Sequence, residues 1–188
     1  MITPLALTLT VAQLSGFFEP NVGQFGDDVL YAARSTRGMA LFTMTSAVDS
    51  RGIIIELPKA KGAKYILRSR AQGTTTYASA IFVPRYEKLA RLDVAPGIDA
   101  IFTMDDQGAI QCDFIAHEGA DPASLEIAYK GVDRVFLDGK GKLTVRTMMG
   151  KNVEPSIRMY RIVDGRQEPV DVQPIVRRDG VVMLAVMN

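Results

Sequence analysis

The feature that most constrains this chain is a two-residue period, broken at regular intervals by Asp and Gly. In "SLEIAYKG", Leu125, Ile127 and Tyr129 alternate with Glu126, Ala128 and Lys130. In "AIQCDFIA", Ile110, Cys112, Phe114 and Ala116 alternate with Gln111, Asp113 and Ile115, and "KLTVRT" sets Leu143 and Val145 against Thr144 and Arg146. Successive side chains of a strand point to opposite faces, so this pattern predicts strands with one buried face. "DDQG" (105–108), "DGKG" (138–141), Asp164-Gly165 and Asp179-Gly180 each separate two apolar runs. Asp and Gly tolerate the positive φ of tight turns, so these stretches predict hairpins.

Many short strands with turns every ten or so residues imply an all-β chain, a multi-stranded, mainly antiparallel, sandwich-like domain with many hairpins and little helix. One core is expected to hold Phe114, Leu125, Ile127, Val135, Leu137, Leu143 and Val145. "RYEKLARLD" (85–93) is the dissenting stretch, because its residues are good helix formers. No repeat, low-complexity tract or linker divides the 188 residues. The expected organisation is a single β-rich domain over 17–188, preceded by 1–16 as an N-terminal strand or the remnant of a secretion signal. "MITPLALTLTVAQLSG" has an apolar centre and small residues near its end, but no basic start, and "TLTVAQL" alternates as a strand does.

Charge and cysteine content exclude several classes. Lys and Arg number 22 against 21 Asp and Glu, and no basic stripe stands out, which argues against a nucleic-acid partner. No stretch is apolar enough for a transmembrane helix. The lone Cys112 cannot form an intrachain disulfide, and with one His, His117, no zinc site built on several His or Cys ligands is available. Cys112 and His117 lie an odd number of residues apart on a predicted strand, so they face opposite ways and form no local dyad. Cys112 reads as a small core residue.

Carboxylates are the remaining chemical option. Asp99, Asp105, Asp106, Asp113, Glu118 and Asp121 crowd together in the sequence. Paired acids suit glycoside hydrolysis, and several oxygens suit calcium, the one cofactor considered, for which Asp99, Asp113 and Asp121 are the candidate ligands. The EF-hand spacing is missing, and "DGKGK" lacks the full phosphate-loop spacing. In "VAPGIDA" (94–100), Pro96 and Gly97 predict a type II turn, with Asp99 bonded to nearby backbone N–H groups or a cation.

"FFEPNVGQFGDD" (17–28) is read two ways. As a ligand loop it would present the amides of Asn21 and Gln24. As a structural corner, the preferred reading, Pro20 fixes φ, Gly23 takes a conformation forbidden to other residues, and the two amides are buried and bonded to main chain. Glu19 has no evident partner in the sequence.

Several stretches carry a family resemblance. "FFEPNVGQF" (17–25) followed by "VLYAARSTRGMALFT" (29–43), then "VPRYEKLARLDVAPGIDAIF" (83–102) and "CDFIAHEGADPASLEIAYKGVDRVFLDGKGKLTVRT" (112–147), resemble, in order, the bacterial domain found N-terminal to SBBP, or seven-bladed β-propeller, repeats. Ala95 replaces that family's aromatic before Pro-Gly, and Arg161 its usual Gln. The resemblance implies strand for "RYEKLARLD". It also implies a secreted, cell-surface or periplasmic bacterial protein, with a following propeller or other surface domain as partner. It brings no catalytic residue. The function expected is a non-enzymatic module with a structural, adhesive or ligand-binding role. The alternative is a carbohydrate-active module, in which sugar stacking would fall to Tyr31, Tyr65, Tyr77, Tyr86, Tyr129 or Tyr160, since the chain has no Trp.

Overall fold

A computed structural model of the chain describes residues 16–60, 64–77, 81–105 and 108–187. The proposed N-terminal strand or signal remnant therefore lies outside the described residues, apart from Gly16, and so does Asp106. The chain is all-β. Its first strands are β1 (Phe17–Pro20), β2 (Tyr31–Arg34), β3 (Met39–Phe42), β4 (Ser46–Asp49) and β5 (Ile54–Glu56). Two long strands follow, β6 (Tyr65–Tyr77) and β7 (Ile81–Ala95), then β8 (Ile98–Met104), β9 (Ile110–Ala116) and β10 (Glu126–Lys130). The rest are β11 (Val132–Leu137), β12 (Leu143–Thr147), β13 (Asn152–Val153), β14 (Ile157–Val163), β15 (Arg166–Val170), β16 (Val172–Val176) and β17 (Val181–Val186). The only helical element among the described residues is a 3₁₀ turn, Pro122–Ser124. No helix among them is long and apolar enough to cross a membrane.

The turn residues do the work their chemistry predicts. Asp164 and Gly165 both take positive φ, +49° and +75°, between the paired Val163 and Arg166, the signature of a type I′ hairpin. Ala95 pairs with Ile98, so β7 and β8 are joined by Pro96 and Gly97 alone, with Gly97 at φ +69°. "RYEKLARLD" is strand, inside β7. Its helix formers are overruled by neighbours on both edges.

β7 organises the molecule. One edge pairs with β6 along its length, while the other pairs with β8 through Leu89–Ala95 and with β1 at Tyr86. Two leaves thus leave the same edge of one strand. One runs β8-β9-β14-β15 and the other β1-β2-β3-β4-β5-β10-β17-β16. Asp93 at φ +51° and a register shift between Arg91 and Ala95 mark a bulge within the part of β7 that pairs with β8. The leaves face each other across the core, where Phe42 of β3 lies 5.2 Å from Phe102 of β8, centroid to centroid. Their far strands, β15 and β16, are separated in sequence by Asp171 alone, so the curled sheet closes almost into a barrel. All neighbouring strands are antiparallel except β9 and β14.

A second sheet, β11-β12-β13, packs Leu143 and Val145 into the same core as Phe114, Leu125 and Ile127. Val135 is half-buried against it. Leu137 is not in the core as expected and remains 38% exposed. β11 is an edge strand of the small sheet, and Leu137 ends it beside the 138–141 turn.

Candidate functional site

The outer face of the first leaf carries a groove of about 470 Å³. Alternation along β8 turns Ile98, Ala100, Phe102 and Met104 into the core and leaves Asp99 and Ile101 facing out. Register then sets Asp99 opposite Ile115 and Ile101 opposite Asp113 on β9. β14 adds Arg158 beside Asp113 and Tyr160 beside Ile115. Arg68 and Lys88, paired across β6 and β7, supply positive charge on the far side of the groove.

Each acid is held by a donor. One oxygen of Asp99 accepts from the Asp93 amide at 2.9 Å, and the other lies 3.0 Å from His117 Nε2. In the tautomer that carries its proton on Nε2, His117 donates to Asp99 and turns Nδ1 away from it, on an imidazole that is 52% exposed. Asp113 accepts from Arg158 Nε at 2.6 Å and from Nη2 at 3.0 Å, a bidentate clamp. That bond pushes the Arg158 pKa up, against a smaller opposing effect of burial.

Ser69 is the hydroxyl in the groove nearest in type to a nucleophile, and its φ of +56° is a strained conformation of the kind found at active sites. The register keeps it away from the base. Ser69 sits level with Glu87, and hence with the Met104 end of β8, whereas His117 lies at the opposite end, beside Gly97. Five residues along and two strands across put Ser69 and Asp99 on the order of 15–20 Å apart. Cys112 faces the core, and burial, with a smaller effect from Asp113, pushes its thiol pKa well up, opposite to what a nucleophile needs.

The sequence cluster of acids is therefore dispersed, apart from Asp99 and Asp113. Asp121 caps the 3₁₀ turn by accepting from the Ala123 amide at 2.9 Å. Asp105 accepts from the Ala109 amide within the β8–β9 turn. Glu118 is exposed. No group of three or more His, Cys, Asp or Glu able to hold a metal ion occurs among the described residues.

At the 17–28 corner, both amides serve the loop itself. Asn21 Oδ1 accepts from the Gly23 and Phe25 amides at 3.0 and 3.1 Å, while Nδ2 donates to the carbonyls of Val29 and Gly26 at 2.8 and 3.1 Å. Gln24 accepts from the Val22 amide and donates to the Pro20 carbonyl. Gly23 stands at φ +104°. The two side chains are half-buried rather than deeply buried, because the loop that they tie lies on the surface.

Glu19, expected to stand alone, is fully buried and accepts from Arg34 Nε at 2.8 Å and from the Tyr77 hydroxyl. Both partners are distant in sequence. Arg158 was likewise invisible as a groove residue, since only the parallel pairing of β14 with β9 brings it to Asp113. The tyrosines form no single row. Tyr129 is buried, Tyr31 and Tyr65 pair with each other 5.6 Å apart, Tyr77 is bonded to Glu19, and Tyr160 alone lines the groove.

Fold and groove together define an all-β domain with a charged groove on one face. Over residues 60–186 the chain matches DUF7948, a domain of unknown function, and it belongs to that family. No curated protein and no solved structure matches it.

Proposed function

We propose that this chain is a non-catalytic β module that binds a polar ligand on the outer face of its first leaf. The observation that carries the reading is the groove's own arrangement. Charged and aromatic side chains from β6, β7, β8, β9 and β14 converge there, while the Asp99–His117 pair has no nucleophile in register with it among the described residues. Such a face can hold a ligand by charge and stacking without transforming it. The resemblance to the domain that precedes propeller repeats supports a setting in a secreted, cell-surface or periplasmic bacterial protein, with a propeller or other surface domain as neighbour. Titration with mixed oligosaccharides and peptides, followed by NMR, tests the groove. Shifts should gather at Asp99, Asp113 and Tyr160 and vanish in Tyr160→Ala. Shifts that gather elsewhere, or survive the substitution, would remove the groove from the reading. Fractionation of the source cells tests the setting, and a purely cytosolic protein would contradict it.

One observation favours a carbohydrate-active module as the second reading. Tyr160 stands beside two acids placed diagonally across β8 and β9, Asp99 opposite Ile115 and Asp113 opposite Ile101, and a pair of acids flanking one groove is what glycoside hydrolysis uses. Release of reducing ends from a polysaccharide, abolished by Asp113→Asn, would establish it. Binding without release would leave the first reading in place.

A further inference from the structure

Where residues 20–31 meet the start of β6 there is a second cavity, of about 510 Å³, separate from the groove. Tyr31, Tyr65, Leu30, Met44 and Lys64 line it, with the Pro20–Asn21 corner as one wall. The tyrosine rings stand 5.6 Å apart and tilted at 54°, an aromatic pair on the cavity wall. No carboxylate is among the described residues that line it.

Behind two of these residues lies a buried cation. Arg91 pairs with Ala100, so it points inward, and it is only 3% exposed. Its guanidinium donates to the carbonyls of Met44 at 2.9 Å, Ala60 at 3.1 Å and Thr45 at 3.4 Å, and sits 5.2 Å from the centroid of the Tyr65 ring. Among the described residues no carboxylate is its partner, and its Nε has none. A buried charge without a counter-ion is costly, and carbonyl dipoles and a ring face offset it only in part. In the low-dielectric interior its field reaches through Met44 and Tyr65, the residues it touches, into the cavity that they line. Lys64 adds a second positive charge at the exposed mouth. The cavity is thus aromatic, apolar on most sides and positive.

We propose that this cavity binds a carboxylate-bearing sugar ring, a uronate, with the ring against the Tyr31–Tyr65 pair and the carboxylate drawn to Lys64 in the field of Arg91. A phosphate dianion fits less well. The Asn21 amide is already spent on the Leu30 carbonyl and its side chain on the loop, so no cluster of free N–H groups remains to surround three oxygens. A hydroxylated ring also suits the Tyr31 hydroxyl and Lys64 ammonium, neither of which has a hydrogen-bond partner among the described residues. The proposal is independent of the groove and survives if the groove binds nothing.

Calorimetric titration of the full chain with trigalacturonate, its methyl ester and benzoate tests it. Trigalacturonate should bind, and the uncharged ester should bind at least about tenfold more weakly. Lys64→Gln and Tyr31→Ala should each weaken binding several-fold with the melting temperature of Lys64→Gln unchanged, whereas Lys140→Gln, in the 138–141 turn and away from both cavity and groove, should leave it as it was. Equal affinity for acid and ester, an unaltered Lys64→Gln, a loss in Lys140→Gln as large as in Lys64→Gln, or no binding up to about 10 mM would each overturn the site. Benzoate binding as tightly as the uronate would overturn the sugar.

Discussion

Glu19 has no exposed surface, yet only one of its carboxylate oxygens is used. Oε1 takes both Arg34 and the Tyr77 hydroxyl, while Oε2 lies buried without a partner. The arrangement is felt at Tyr77, whose pKa is pushed up to about 12 by burial first, and then by the hydrogen bond to Glu19 and its negative charge. A group with a higher pKa in the folded state contributes stability that is fully present below its ordinary value, 10, and is lost as the pH climbs through about 12. Chemical denaturation at a series of alkaline pH values should therefore show stability falling between those limits. Tyr77→Phe should flatten the fall without abolishing it, because Tyr65 and Tyr129 are also pushed up by burial. An unchanged slope would mean that Tyr77 keeps no such link to Glu19. Asn21 is the other residue whose loss should be felt beyond its size. Asn21→Ala leaves the amides of Gly23 and Phe25 and the Val29 carbonyl without their partner, and unfolding measurements should register a cost of roughly 1–3 kcal/mol. An unchanged melting temperature would return the corner to the ligand-loop reading.

Among the elements, the hairpins were the most legible, because their information is local. Asp105–Gly108, Asp138–Gly141, Asp164-Gly165 and Asp179-Gly180 each join two antiparallel neighbours, and the alternation of β8 and β10 fixed which residues face inward. The same parity places Arg91 inward with Leu89, a signal available in the sequence, although charge usually argues for the surface. Pairings between distant segments left no such mark. Nothing local announces that β14 lies parallel to β9, so the clamp of Arg158 on Asp113 could not be read from either segment. β10 and β11 are joined by Gly131 alone, at φ +66°, as the chain leaves the large sheet for the small one. A Cβ there would stand 2.5 Å from the Gly52 carbonyl oxygen, a backbone atom that cannot simply turn aside. Gly131→Ala combines this clash with a strained φ and should cost on the order of 1–3 kcal/mol, measured by denaturant unfolding. A loss below about 0.5 kcal/mol would mean that the crossing between sheets relaxes easily.

At the scale of the whole molecule, the sheet is assembled out of chain order. β1 to β5 stand between β7 and β10, so residues 17–56 supply the part of the second leaf that adjoins β7. The family match covers 60–186 and leaves that part out. Without it, β7 loses the partner at Tyr86, β10 loses β5 along one edge, and β17 and β16 have no path back to β7 except through Asp171. The core would lose as much. Phe42 is the aromatic that joins the leaves, with Phe18 at 5.7 Å, Phe102 at 5.2 Å and Tyr65 at 6.4 Å, and it would be absent together with Phe18. Uncovered strand edges and an opened core favour association over folding. A fragment of residues 60–188 should therefore lack dispersed amide resonances and aggregate. Adding residues 16–60 as a separate peptide should restore a folded spectrum, because the missing strands pair by backbone bonds that need no covalent link. A 60–188 fragment that folds alone, with one cooperative transition as stable as that of the full chain, would show that β1 to β5 are an addition to the barrel and not a part of its wall.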